Sequence, residues 1–406
     1  MNIVVVGGGL AGAKAVEELR GQGYSDDITL IGAEPHPPYE RPPLSKGVLL
    51  GTAEPDSVFV LSTDWYADHQ VELVTGARVT DVDLDRGHVD VGGQQWSYDR
   101  LLLATGATPR HLPLADHSGA DIVYLRTLDD ALALRARLSE HLLIVGAGWI
   151  GLEVAAAARQ AEGRVTLVES SALPLARVLG PEVAPVFSDL HRDHGVDLRV
   201  NTSVEAIEHD HAGTTVRLSD GHDVTPDLIL VGIGAEPDVA LAAKAGLVVD
   251  HGIVVDACLR ASDPHVYAAG DVATHDHPGL GRIRVEHWDT AIHQGRHAAR
   301  SMLGHDIPYT RQPYFFTDQY DLGLEYVGHV GPAGYDEVVI RGSLTDRVFT
   351  ALWIKGRRVI AGMHVNDWDA IDTLRNLVGR EADRLVRDPD TALTDLPASA
   401  AAAATG

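Results

Sequence analysis

One device constrains this chain more than any other, and it occurs twice. At the amino terminus the apolar run Asn2-Ile3-Val4-Val5-Val6 meets Gly7-Gly8-Gly9-Leu10-Ala11-Gly12 and passes into a helix-like pattern from Ala13 to Arg20. Further on, Leu142-Leu143-Ile144-Val145 meets Gly146-Ala147-Gly148-Trp149-Ile150-Gly151, and a second helix-like run continues through Glu153 to Gln160. Strand, G-x-G-x-x-G, helix is the form of a dinucleotide fingerprint. The first glycine permits a tight turn, the second lets the backbone approach a pyrophosphate, and the third lets helix pack on strand. The helix N terminus then offers free N–H groups and a partial positive charge. After each copy a strand ends near an acid, Glu34 in the first case and Glu169 in the second. That is about twenty residues on, where a carboxylate meets a ribose hydroxyl.

Each copy goes on through a meander to a buried strand with a glycine turn. These are Ala104-Thr105-Gly106 leading to Arg110, and Val231-Gly232-Ile233-Gly234. In the first copy Val71 to Val74, Ala77 to Leu84 and Gly87 to Val91 read as that meander. In the second, Ala131 to His141 and Glu182 to His194 read as helices. A further apolar strand from Val266 ends in Gly270-Asp271, and a polar loop leads to Glu286-His287-Trp288-Asp289 and a helix to Leu303. From Pro313 the composition shifts to strands, with a hairpin about Gly356 and a helical stripe Trp368, Ile371, Leu374, Leu377, Val378. The expected fold class is α/β, with two Rossmann-like dinucleotide-binding domains and a C-terminal α+β domain. The boundaries expected are 1–107 with 239–312, then 108–238, then 313–397, with a low-complexity tail at 398–406.

At 406 residues the chain needs more than one core. Its net charge of -25 argues against nucleic acid and anionic membrane as partners. Cys258 is the only cysteine, which excludes disulfides, a redox cysteine pair and a four-cysteine metal site; it reads as a small buried residue. The apolar run Leu142 to Ala158 holds three glycines and Glu153 and fits the fingerprint rather than a membrane span. The first residues already read as a strand, so no leader is expected and a cytoplasmic location is. His191-x-x-His194, His209-x-His211 and His275-x-His277 lack a third and fourth ligand, so no metal is expected.

Taken in order, these stretches resemble the FAD-containing, pyridine-nucleotide-dependent reductases of oxygenase-coupled ferredoxins and rubredoxins, within the glutathione-reductase-like flavoproteins. Besides the two fingerprints, the resemblance rests on Arg41-Pro42-Pro43-Leu44-Ser45-Lys46, Ala104-Thr105-Gly106, Val231 to Gly234, Ala269-Gly270-Asp271 and Tyr314-Phe315-Phe316-Thr317-Asp318-Gln319-Tyr320. Disulfide-reducing relatives carry cysteine near the Arg-Pro-Pro-Leu-Ser-Lys region, and this chain does not.

The resemblance implies an FAD site made of Gly7, Gly9, Leu10, Ala11, Gly12, Glu34, Arg41, Lys46, Ala104, Thr105, Gly106, Arg110, Gly270, Asp271, Glu286, His287, Trp288 and Phe316. It implies an NAD site made of Gly146, Gly148, Trp149, Ile150, Gly151, Glu153, Glu169, Gly232, Ile233 and Gly234. Lys46 and Glu153 are the implied catalytic pair, a cation beside the flavin and the carboxylate that orients it. Glu169, followed by Ser170 and Ser171 with no adjacent base, favours NADH over NADPH. Phe316 departs from the family's usual tryptophan.

Hydride would pass from NADH to FAD, then single electrons to an iron–sulfur ferredoxin or a rubredoxin, serving a cytochrome P450 or a Rieske-type oxygenase. An NADH oxidase of the same fold is the alternative. Since ferredoxins are acidic like this chain, docking is expected on a local basic patch of Arg282, Arg284, Arg296, Arg300 and Arg311.

Overall fold

The computed structural model describes residues 1–396; the tail expected at 398–406 lies outside them. The chain divides into two units. The first comprises Met1–Leu44, Ala53–Pro109 and Ala235–Arg311, the second Ser45–Thr52, Arg110–Gly234 and Gln312–Gly406.

The first unit is built on a five-stranded parallel sheet in the order Val266–Ala268, Arg100–Leu103, Ile3–Val6, Ile28–Ile31, Val71–Val74. Ile3–Val6 and Ile28–Ile31 are buried throughout, as the strands of a parallel sheet covered on both faces must be. The strand Val71–Val74 corrects the meander reading: it pairs in parallel with Ile28–Ile31 and forms the sheet edge. The antiparallel sheet contains only Asp81–Asp83, His88–Val91 and Gln94–Ser97. The loop expected after Asp271 also contains strands, Ala273–His277 and Gly281–Ile283, paired antiparallel.

The opening helix, Leu10–Gly21, packs against helix Trp288–Met302. Small residues make that crossing close. A Cβ on Gly295 would lie 2.3 Å from the Ala11 carbonyl oxygen.

The second unit repeats the plan. Its parallel sheet runs Asp197–Val200, Arg164–Glu169, His141–Val145, Leu228–Val231, Ile122–Val123. The apolar run from Leu142 to Ala158 is therefore a strand, a turn and most of helix Trp149–Gln160. Among the described residues no helix is long and apolar enough to cross a membrane. The helix expected from Ala131 lies earlier, at Leu128–Arg135, because Thr127 and Asp130 form a reciprocal capping box. The one expected from Glu182 is found as Pro185–Asp193, and the segment before it, Ala176–Val183, is kinked at Gly180, whose backbone is not helical.

A five-stranded antiparallel sheet, Tyr314–Gln319, Leu322–Gly328, Arg358–Val365, Val348–Lys355, Glu337–Ser343, belongs to the same unit. Its Trp353, Phe349 and Met363 share one core with Leu152 and Phe187. Ser45–Thr52 departs from the expected first-domain boundary. Its Leu49 is fully buried in the second unit's core, and Gly51 lies against the Arg135 guanidinium.

Candidate functional site

In the first unit Gly7 has φ +128°, a backbone that side chains rarely adopt, and a Cβ there would lie 2.1 Å from the Ala104 carbonyl oxygen. The turn Ala104-Thr105-Gly106 thus rests directly on the fingerprint. Gly12 meets the Gly7 carbonyl, where a Cβ would sit at 2.3 Å, so helix and strand can touch. Gly9 is different: a Cβ there would meet nothing within 4 Å. It is the N-cap of Leu10–Gly21, and no side chain caps that end. Open space beside uncapped N–H groups, with Leu10 and Ala11 in the first turn, fits a pyrophosphate.

The acid after the second strand is engaged. Glu34 Oε1 pairs with Arg41 Nη2 at 2.8 Å, and its Oε2 accepts from the Tyr39 hydroxyl. Arg41 also reaches Tyr39 Oη at 3.2 Å and lies over its ring at 5.1 Å. The proline-rich loop thereby returns a cation to the carboxylate. Tyr39 was not foreseen from the sequence, where a lone tyrosine among prolines carries no signal.

Thr105 Oγ1 donates to the Asp238 carbonyl at 2.7 Å. The Gly270 N–H donates to the buried Gln294 side chain at 2.9 Å. Arg284 donates to the Asp271 carbonyl at 3.0 Å and pairs with Glu286. His287 caps helix Trp288–Met302 by accepting the Asp289 N–H at 3.2 Å, which orders the backbone at Trp288.

The five arginines expected to form a basic patch are each matched by an acid: Arg282 by Asp276, Arg284 by Glu286, Arg296 by Glu17, Arg300 by Glu18, and Arg311 by Asp289. They contribute no uncompensated positive patch. Glu17 and Glu18 come from the opening helix, far away in sequence. Cys258 is half-buried rather than buried, and burial pushes its thiol up, away from a nucleophile's range.

In the second unit Gly146 has φ +101°, and a Cβ there would lie 2.5 Å from the Gly232 carbonyl oxygen. A Cβ on Gly151 would lie 2.0 Å from the Gly146 carbonyl. Gly148 caps helix Trp149–Gln160 with no side-chain bond. Glu169 is held by backbone, accepting from Ala147 N at 2.9 Å and Ser171 N at 2.7 Å, and it has no cationic partner among the described residues. Ile150 and Ile233 stay 41% and 38% exposed beside the glycine turns, an apolar surface of the kind that planar rings cover. The backbone N–H of Arg110 donates to the Gly234 carbonyl at 2.9 Å, beside the second glycine turn.

Lys46 and Glu153 meet in this unit, Nζ to Oε1 at 2.7 Å. Lys46 Nζ also lies 5.5 Å from the centre of the Phe316 ring, which stands beside Tyr314 at 6.5 Å. The Trp149 ring faces Phe315 at 4.2 Å. Glu153 is 5% exposed and receives two further donors, Ser45 and Thr317. Burial raises the neighbouring Asp318 carboxyl, with Lys46 opposing and Glu153 and Glu325 reinforcing the shift. Thr317, like Ser45, was not singled out in the sequence.

The family model described as pyridine nucleotide-disulphide oxidoreductase matches residues 1–295, and one described as reductase C-terminal matches 314–397. Putidaredoxin reductase of Pseudomonas putida is 40% identical over 90% of this chain and 88% of its own length. Rhodocoxin reductase of Rhodococcus erythropolis is 38% identical over 90% and 86%. Among solved structures, a covalent putidaredoxin reductase–putidaredoxin complex superposes with a TM-score of 0.92 at 37% identity, covering 97% of each chain.

Proposed function

The chain belongs to the pyridine nucleotide-disulphide oxidoreductase family, and from that premise we propose an NADH-dependent ferredoxin reductase. In this reading FAD is held by the first glycine crossing and NADH is taken at the second. Electrons go to an iron–sulfur ferredoxin that serves a cytochrome P450 or a Rieske-type oxygenase. The overall reaction balances as NADH plus two oxidised ferredoxins giving NAD+, a proton and two reduced ferredoxins.

The observation that carries the reading is the doubled crossing with unlike acids. Both crossings end in an uncapped helix N terminus, suited to a pyrophosphate. The first acid, Glu34, is tied to Arg41 and Tyr39, which suits a cofactor that stays. Glu169 presents a carboxylate that no cation neutralises among the described residues, suited to accept from both ribose hydroxyls of NADH and to repel the extra phosphate of NADPH.

When bound, FAD accepts a hydride and returns electrons singly. The protein's part is position and charge. Lys46 provides a cation fixed by Glu153, and a fixed cation favours the negative charge that a hydride acceptor takes up. With Cys258 the sole cysteine, no dithiol can take the electron pair, so a one-electron acceptor suits this chain. A cytoplasmic location goes with NADH as donor.

Anaerobic titration followed by a panel of ferredoxins tests the proposal. One equivalent of NADH should reduce the bound flavin, and at least one iron–sulfur ferredoxin should reoxidise it faster than air does. Rapid reoxidation by air with every ferredoxin inert would instead favour an oxidase.

A further inference from the structure

The carboxylate of Glu153 sits in a seat made of more than its counter-ion. Thr317 Oγ1 donates to Oε1 at 2.6 Å, beside the Lys46 ammonium, and Ser45 Oγ donates to Oε2. A hydroxyl has one proton. Thr317 gives its proton to Glu153, so its oxygen is left to accept from Gln319 Nε2 at 3.2 Å. The other end of Gln319 accepts from His191, Nε2 to Oε1 at 2.9 Å. That contact sets the imidazole as the Nε2–H tautomer. Every donor points the same way: His191 to Gln319, Gln319 to Thr317, Thr317 to Glu153.

The chain is closed to solvent. Thr317 and His191 are fully buried and Gln319 is 1% exposed. His191 Nδ1 has no hydrogen-bond partner among the described residues, so the imidazole is anchored at one nitrogen only. A core that needed only to join helix Pro185–Asp193 to strand Tyr314–Gln319 would do so better with apolar side chains, because buried polar groups cost stability even when paired. What the polar chain adds is direction. Its bonds lock one oxygen of one carboxylate, and that oxygen holds Lys46.

We propose that Thr317 and Gln319 are positioning residues for the reductase reaction: anchored by His191, they aim Glu153, and the aim of Glu153 fixes the Lys46 ammonium where hydride transfer needs it. This rests on the function proposed above. Fixing a charge within a fraction of an ångström is the kind of pre-organisation on which rates depend steeply.

The test compares Thr317→Val, which keeps the shape and removes the donor, with Thr317→Ser, which restores it, and with Gln319→Leu. In anaerobic stopped-flow mixing with NADH, Thr317→Val should lower the limiting rate of flavin reduction roughly tenfold, with NADH affinity changed less than about twofold. Thr317→Ser should return to within about threefold of the parent, and Gln319→Leu should fall between. Long-range nitrogen–proton NMR of the imidazoles should show His191 as Nε2–H in the parent and altered in Gln319→Leu. A Thr317→Val rate equal to the parent's overturns the proposal, as does equal slowing of the Val and Ser variants. If NADH fails to reduce the parent at all, the reductase reading is what fails. The His191 tautomer then decides the chain by itself, since an Nδ1–H imidazole is incompatible with it.

Discussion

The two glycine crossings are built alike and finished differently. In both, a positively twisted glycine leans on the turn of a later strand, Gly7 on Ala104 and Gly146 on Gly232. In both, an uncapped helix follows. The first is closed by its own protein. Glu34 is paired with Arg41, Thr105 is tied to Asp238, and Gly295 brings a second helix against Ala11. The second keeps an acid held, among the described residues, by two backbone N–H groups and the Ser170 hydroxyl, and two exposed isoleucines at its edge. In the function proposed above, one motif serves a resident dinucleotide and its repeat an exchangeable one, and the difference lies in what the chain adds around each.

The sharpest way to break that comparison is inside the first fingerprint. Gly7→Ala places a methyl group where the Ala104 carbonyl already is, on a backbone with φ +128°. It should cost at least about 3 kcal/mol and yield little folded protein. Gly9→Ala meets nothing within 4 Å and should fold with a change in Tm of only a degree or two, yet lose flavin. Equal thermal stability of the two variants would contradict the geometry.

Acid stability comes next, and each unit carries its own source. Burial lowers His191 in the second unit to about 4, and burial with nearby His277 lowers His275 in the first to about 4. An unfolded histidine protonates near 6.5, so each folded imidazole resists a proton that the unfolded chain accepts. The stabilisation is complete above pH 6.5 and is lost as pH falls towards 4, by up to roughly 3 kcal/mol per histidine. Urea unfolding of His275→Gln between pH 7.5 and 4.5 should show a shallower decline than the parent, whatever the loss at pH 7.5.

The acids themselves come third. Glu169→Ala should shift the ratio of kcat/KM for NADH over NADPH towards NADPH by about ten- to hundredfold, since a fixed like charge beside the extra phosphate is removed. Glu34→Ala should leave that ratio unchanged and weaken flavin retention instead, because it strands Arg41. Steady-state kinetics with both nucleotides would sharpen the contrast, and a ratio moved equally by the two variants would erase it.

The smallest effects belong to the surface. Arg296→Ala and Arg300→Ala remove partly exposed pairs with Glu17 and Glu18, each contributing about 0.5 kcal/mol that salt should screen. Denaturation at low and high ionic strength would show whether these pairs join helix to helix at all.

Much of this was readable from the residues because the determinants are local. A glycine that must turn sharply and touch a carbonyl leaves the same six-residue trace wherever it occurs. All-buried parallel strands leave apolar runs. What was not readable depends on distant pairing. Val71–Val74 looks like any short strand until it lies beside Ile28–Ile31. Arg110 follows the Ala104 turn closely, yet its backbone N–H meets Gly234 beside the second glycine turn. In between, Ala107–Pro109 pairs with Ala235–Pro237, and the chain passes to the other unit. The polar core of Thr317, Gln319 and His191 was hidden for another reason: threonine and glutamine look the same in sequence whether solvated or buried, and only burial turns them into an aimed chain.

The most direct test of the division of labour counts flavin in two matched variants, Gly9→Ala and Gly148→Ala. Both sites are ones where a Cβ would touch no atom closer than 3.9 Å, so both variants should fold. Gly9→Ala should emerge from gel filtration without flavin. Gly148→Ala should keep one flavin per chain but fail to bleach when one equivalent of NADH is added without oxygen. Flavin retained by Gly9→Ala, or lost from Gly148→Ala, would contradict the assignment of the two crossings.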